Sequence, residues 1–240
     1  MVAVAVERVV VGCSGGADST CLLHVLTQGL PKLGLECVAV YVDHGLRPEA
    51  GREAQWVEER ARSFGAEFVL ERVDVPARAG RTGESVQEAA RALRYAALAR
   101  VKERFGASRI AVGHTQSDQA ETVLLQLLRG AGARGLSGIP PVRGEIVRPL
   151  LCVGRRETEG YCRAAGIDWL EDPSNRSPKY LRSRVRFELM PLLESLRPGV
   201  EARLAAAAEI LRDEDRYLEE QVAKALEGRL RPAPEGGGLA

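Results

Sequence analysis

Val9-Val10-Val11-Gly12-Cys13-Ser14-Gly15-Gly16-Ala17-Asp18-Ser19-Thr20 decides the fold. The unbroken apolar run has the pattern of a strand buried on both faces, and it ends in a turn of small residues. A helical stretch follows through Leu22, Leu23, Val25 and Leu26. Gly15 and Gly16 let the backbone approach a ligand, and amides at the helix start point toward whatever lies in the turn. Asp18 and Ser19 are expected to cap that helix. Such a turn suits an anion, phosphate above all.

The turn lacks the Lys-Ser/Thr pair of a Walker A loop, and G-x-G-x-x-G is absent. The hydroxyls of Ser14 and Ser19 supply further donors instead. S-G-G-x-D-S resembles the PP-loop of the ATP pyrophosphatases, enzymes that adenylate a substrate and release pyrophosphate.

Working outward, apolar runs at Arg8–Gly12, Cys37–Val42, Glu67–Val73 and Arg109–Gly113 read as strands. Helical patterns lie between them at Ser19–Gln28, Glu49–Phe64 and Ser85–Arg104. The alternation predicts α/β architecture, a doubly wound, mostly parallel sheet with right-handed crossovers, followed by a small helical segment. In such sheets ligands bind beyond the carboxyl ends of the strands. Past Gly130 the texture changes. Ala131–Pro141 reads as a mobile Gly/Pro loop, Arg155–Ala165 as a short helix, and Trp169–Asn175 as a strand end entering a turn. Tyr180–Leu196 reads as an arginine-studded helix, and an amphipathic helix starts near Pro198.

The 240 residues are 45% apolar, enough for a core, with a formal net charge of +1. That balance gives no overall attraction to nucleic acid, so an RNA surface has to be a local patch. No apolar stretch approaches the roughly 18 residues of a membrane span. The start of the chain reads as a lead-in to the first strand, not a signal peptide. The five cysteines form no C-x-x-C pair, which argues against a disulfide framework or a thiolate zinc site. Cys13 and Cys21 read as small core fillers. A cytoplasmic, membrane-free protein is expected.

Two further constellations fall on the same rim. Asp43 and His44 close the second strand, where a carboxylate would serve a metal ion or the polar groups of a nucleotide. In Gly113-His114-Thr115-Gln116-Ser117-Asp118-Gln119-Ala120-Glu121, Asp118 and Glu121 stand three apart at a helix start. They therefore share a face within reach of one Mg²⁺. His114 is placed to donate to phosphate or to shuttle a proton. Ser85 and Glu88 spell a capping box, and Arg91 and Arg94 share a helical face suited to phosphate. Arg182, Arg184 and Arg186, with Arg176 and Lys179, make the best basic patch. Each motif also has a plain reading as a helix cap, a solvated face or a rim residue.

Together these segments resemble the tRNA(Ile)-lysidine synthetase family, over roughly residues 8 to 195 and in unbroken order. Further matching stretches are Ser137-Gly138-Ile139-Pro140, Arg148-Pro149-Leu150-Leu151 and Glu171-Asp172-Pro173-Ser174-Asn175. The resemblance implies a PP-loop catalytic domain over 1–195. It implies a helical linker, or the start of a C-terminal domain, over 196–230, and a frayed tail over 231–240. It implies that ATP adenylates O2 of a wobble cytidine in tRNA(Ile) with a CAU anticodon. The ε-amine of L-lysine then displaces AMP.

By the same resemblance Ser14, Gly15, Gly16, Ala17, Asp18 and Ser19, with Asp43 and His44, bind ATP. Asp18, Asp118 and Glu121 serve Mg²⁺ or the amine, His114 and Arg94 contact the phosphates or the adenylate, and Arg182 and Arg184 bind substrate. Ser183 stands where the family usually has Asn. A homodimer is left open. The alternatives are a tRNA thiolase of the same superfamily, or a module that binds ATP without turning it over.

Overall fold

The computed structural model of the chain describes residues 7–29, 34–171 and 181–227. The expectations for the lead-in at 1–6, for Asp172–Asn175, Arg176, Lys179 and Tyr180, and for the tail at 231–240 lie outside the described residues.

Val9, Val10 and Val11 are buried because the strand they form, β1 (Arg8–Gly12), runs through the middle of the molecule. The remaining strands are β2 (Glu36–Asp43), β3 (Glu67–Arg72), β4 (Arg109–Val112), β5 (Val142–Arg143) and β6 (Ile146–Val147). The sheet order is β3-β2-β1-β4-β6-β5, all neighbours parallel except the β5–β6 pair. Val11 pairs with both Ala39 and Ala111, so β2 and β4 flank β1 in register. The order reverses between β1 and β4, the switch point at which open α/β sheets hold ligands in a crevice beyond the carboxyl ends of their strands.

Period-2 alternation sends the side chains of β1 to two cores. Val9 and Val11 join Leu22 and Leu23 of α1 (Ala17–His24) and Val57 and Ala61 of α2 (Ala50–Ser63). Val10 joins Leu98 and Val101 of the helix Val86–Phe105 on the other face. Covering both faces explains the continuous apolar run. Cys13 and Cys21 are buried in the first core, as their fillers' role requires.

Two elements escape the sequence pattern. The helix α3 (Val75–Thr82) precedes α4 (Val86–Phe105), started by Asp74, whose carboxylate accepts from the Ala77 amide at 2.8 Å. The β5–β6 hairpin is also unanticipated, because its strands are two residues long and hardly buried. The capping box of Ser85 with Glu88 at the start of α4 is present.

Next come α5 (Gln116–Leu128) and the short α6 (Ala133–Leu136). The stretch expected to be mobile is bonded down. The Ile139 amide donates to Gln119 at 2.6 Å, and Pro140 accepts from Arg148 at 2.6 Å. Helix α7 (Arg155–Ala164) follows. Residues 169–171 form no strand. Instead the Leu170 amide donates to the Gly15 carbonyl at 2.8 Å, closing the turn from outside.

The arginine-rich helix is α8 (Leu181–Arg184), a π-helical turn (Val185–Leu189) and α9 (Met190–Leu196) in succession. Val185 and Met190 pack against Ala120, Leu124 and Leu125 of α5. The last helix, α10 (Val200–Leu226), lies along α5 and α6, and its apolar residues Ile210, Tyr217, Leu218 and Val222 remain exposed.

Candidate active site

The turn after β1 is shaped by its own small polar groups. Gly15 adopts φ +83°, which disfavours any other residue, and a Cβ there would also push Leu170 aside, its Cδ1 being 2.7 Å away. The Ser14 amide donates to Ser19 Oγ at 3.2 Å, the two hydroxyls lie 3.2 Å apart, and Ser19 Oγ donates to the Gly16 carbonyl at 3.0 Å. The capping expectation is corrected here. Gly16 is the cap of α1 and has no side chain to offer, so Asp18 and Ser19 sit within the first turn. The carboxylate of Asp18 still favours the positive helix end. A Cβ on Gly113 would meet the Asp18 carbonyl and the Ser19 amide nitrogen at 3.1 Å, so glycine lets the β4–α5 connection press against this turn.

Asp18 reaches across to α7. It accepts from Thr158 Oγ1 at 2.5 Å and from Arg155 Nε at 3.4 Å. Burial raises its carboxyl above the ordinary range, and the neighbouring Asp118 adds to the rise, against the pull of Thr158 and Arg155.

Asp118 and Glu121 share one side of α5, as their spacing predicts. Asp118 Oδ2 accepts from the Thr115 amide at 3.0 Å, while its Oδ1 faces Arg155 at 3.3 Å, Arg182 at 3.1 Å and Arg186 at 3.4 Å. Asp118 thus closes the helix start and also faces the site. Burial works to raise its carboxyl, but Arg155 and Arg182, with the Thr115 amide, hold it below the usual range. Glu121 is 2% exposed and is held by Arg182 Nε at 2.9 Å and Arg186 Nε at 2.6 Å. Among the described residues Arg155 alone touches all three carboxylates, reaching Glu121 at 3.5 Å.

Of the residues singled out in the sequence, Asp18, Asp118, Glu121 and Arg182 meet in this network. His114 and Arg94 flank it, both within the electrostatic reach of Arg91. Arg94 forms no ion pair among the described residues. It and Arg91 lie over the Tyr95 ring, at 5.5 and 5.3 Å. Burial, with Arg91 and Arg182 nearby, lowers its affinity for its proton. The Nδ1 of His44 is buried without a partner among the described residues, and burial followed by Arg94 lowers the ring below its usual range.

Two residues are not brought into the network. Asp43 folds back onto its own turn, accepting from the Gly45 amide at 2.9 Å, beside a shallow groove lined by Arg72, Val73 and Asp74. Arg184 pairs with Glu188 at 3.1 Å on the exposed side of its helix. Arg186 takes the place expected of Arg184, and four-residue spacing from Arg182 was the available signal. Arg155, Thr158 and Arg148 carry no such signal.

Chemically, the site couples a turn of amides and hydroxyls at the start of α1 to three carboxylates and three guanidiniums. Among the described residues no group of three His, Cys, Asp or Glu side chains is arranged to hold a metal ion. No helix there is long and apolar enough to cross a membrane.

Residues 2–193 match the family described as the PP-loop domain. The chain is 45% identical to the tRNA(Ile)-lysidine synthase of Deinococcus deserti, over 90% of this chain and 39% of that protein. It is 43% identical to the tRNA(Ile)-lysidine synthase of Salinispora tropica, over 95% of this chain and 69% of that one. It spans half or less of the length of several such relatives, at 48%, 37% and 50%. Among solved structures, the U34-tRNA thiolase NcsA of Methanococcus maripaludis with its [4Fe-4S] cluster matches with a TM-score of 0.72. That match has 18% identity and covers 86% of this chain and 73% of that one, so the two share a fold. A lysine-free Ser-Gly-Gly turn at the switch point of a parallel sheet, in a chain matching those synthases along nearly its whole length, places this protein in the PP-loop family, among the tRNA(Ile)-lysidine synthases.

Proposed function

We propose that the chain ligates L-lysine to the wobble cytidine of tRNA(Ile) bearing a CAU anticodon, consuming ATP and releasing AMP and pyrophosphate. The observation that carries the reading is the turn from Ser14 to Ser19. It offers amides and hydroxyls, and no lysine, at the start of α1. A triphosphate seated there by its β- and γ-phosphates presents its α-phosphorus to the crevice between β1 and β4. O2 of the cytidine attacks that phosphorus and pyrophosphate leaves. The ε-amine of lysine then attacks C2, and the C2–O2 bond breaks with AMP as the leaving group.

The residues divide the work by charge. Arg94, without a carboxylate of its own, suits the phosphate that remains on the adenylate. The attacking amine has to be neutral, and a carboxylate can take its proton. Asp18 is best suited among the three because burial already raises its carboxyl. Asp118 and Glu121 attract the cationic end of lysine, provided that it displaces one of the guanidiniums now paired with them. Asp43 and His44 line the approach for the nucleoside portion, and Arg182 and Arg184 the approach for RNA.

The donors fit Mg²⁺ carried in on the triphosphate, which needs one or two carboxylates and not a protein cage. Asp18 and Asp118 would hold it, and it would screen the phosphate charge. The five cysteines, free among the described residues, suit the cytoplasm.

The test is incubation of the 240-residue chain with ATP, Mg²⁺, lysine and unmodified tRNA(Ile). AMP, pyrophosphate and lysine-labelled RNA are the expected products. Release of ADP contradicts adenylation, and sulfur transfer from a sulfur donor would reassign the chain to the thiolases.

A further inference from the structure

Arg148, at the end of β6, is 3% exposed. A guanidinium sealed from water without a carboxylate is costly, and it persists where its hydrogen bonds serve a purpose. Its Nη1 donates to the Pro140 carbonyl at 2.6 Å, and its Nε donates to Nδ1 of His114 at 3.2 Å. No ion pair to Arg148 occurs among the described residues.

A guanidinium has five N–H groups and no lone pair to offer. Nδ1 of His114 must therefore be the acceptor, and a ring accepting at Nδ1 carries its proton on Nε2. Nε2 has no hydrogen-bond partner among the described residues.

The geometry points to Arg148 as a positioning residue that fixes His114 as the neutral, Nε2-protonated tautomer, so that the ring offers one N–H to an anion in the crevice. The anion is a phosphate oxygen of the nucleotide, because Gly113, next to His114, presses against the turn at Asp18 and Ser19, and the Arg94 guanidinium lies within electrostatic reach of the ring. This last assignment rests on the adenylation reading, whereas the tautomer follows from the Arg148 bond alone.

The surroundings agree. Burial is the strongest influence on His114, and Arg148, Arg94 and Arg91 all disfavour a second proton, with Asp118 alone favouring it. The ring is pushed down to about 4. At neutral pH it therefore donates a hydrogen bond without carrying charge. Without the Arg148 bond the ring is free to carry its proton on Nδ1 instead, and in that tautomer Nε2 is an acceptor that repels a phosphate oxygen.

A purely structural role for Arg148, tethering the loop through Pro140, predicts no effect on the state of His114. The test is a long-range ¹H–¹⁵N spectrum of the whole chain labelled with ¹⁵N-histidine. The chain has three histidines, so His114→Gln assigns the signal. At pH 7 the wild type is expected to show His114 neutral with the proton on Nε2. In Arg148→Met, with its fold checked by circular dichroism, His114 is expected to populate both tautomers and to take up its second proton at higher pH. ATP–pyrophosphate exchange is expected to fall about tenfold in kcat with KM for ATP little changed, and Arg148→Lys is expected to recover part of it.

A wild-type ring protonated on Nδ1, or charged at pH 7, would overturn the assignment even if Arg148→Met fails to fold. A folded Arg148→Met with an unchanged tautomer would overturn it too. A spectrum as expected from a chain that makes no adenylate would sink the adenylation reading and leave the Arg148–His114 assignment standing.

Discussion

Arg182 and Arg186 show how much a single position matters at this site. They grip the same buried pair, Asp118 and Glu121, whereas Arg184 between them turns outward to Glu188. Removing one partner of a buried pair costs about 3–5 kcal/mol where nothing replaces it, and less here because Arg155 and Arg182 still hold both carboxylates, while an exposed i,i+4 pair contributes about 0.5 kcal/mol or less. Arg186→Ala is therefore expected to lower thermal stability markedly and abolish turnover, and Arg184→Ala to leave the melting temperature within a degree or two. Equal effects in the two melts would show that the network does not carry this load.

Asp18→Asn keeps the shape and the Thr158 contact but removes the charge. Activity is expected to fall by about 10²–10³-fold, the scale of a lost charge-stabilising group, with the fold intact by circular dichroism. His114 gives a pH signature. Its ring is held at about 4 in the folded chain by burial and then by Arg148, against an ordinary value of 6.5. Between those values the unfolded chain binds the extra proton and the folded chain does not, so stability falls as pH drops from about 6.5 to about 4. Denaturant titrations across that window should show a shallower fall in His114→Gln than in the wild type.

At the scale of elements, apolar pattern decided almost everything that lies in the two cores. The bounds of β1, α2 and α4 follow from their residues, because burial on both faces or on one helical stripe leaves few choices. Leu98, wholly buried between α4 and the sheet, tests this directly. Leu98→Ala is expected to cost about 2–5 kcal/mol in chemical denaturation. A loss well under 1 kcal/mol would mean that α4 does not pack as described.

Helix α3 carries a local cap at Asp74 but buries only Val75 and so shows no apolar stripe. The β5–β6 hairpin was illegible because its strands are two residues long and it is fixed by β4, distant in sequence. The same holds for the site. The turn of residues 14 to 19 and the Asp118–Glu121 spacing are local and can be read directly, and Arg186 was readable by helical period. Thr158 and Arg155 reach Asp18 across about 140 residues of chain, and no local pattern marks them. The 131–141 stretch, Gly-rich and so expected to be mobile, is fastened instead by Gln119, Arg148 and Arg212.

For the molecule as a whole, the arrangement brings the turn after β1 and one cluster of opposite charges together at the switch point of the sheet. A sheet that reverses its order beside β1 places the ends of β1 and β4 there, and α7 and α8 close over them with the arginines. In the proposed reaction the turn after β1 holds the pyrophosphate end of ATP while its α-phosphorus is attacked. The most direct measurement is the fate of label in ATP carrying ³²P at the γ-position, with tRNA(Ile) and lysine present. All released label is expected in pyrophosphate, with AMP in equal amount, and its release is expected to slow about 10²–10³-fold in Asp18→Asn. Label released as orthophosphate together with ADP would contradict the account.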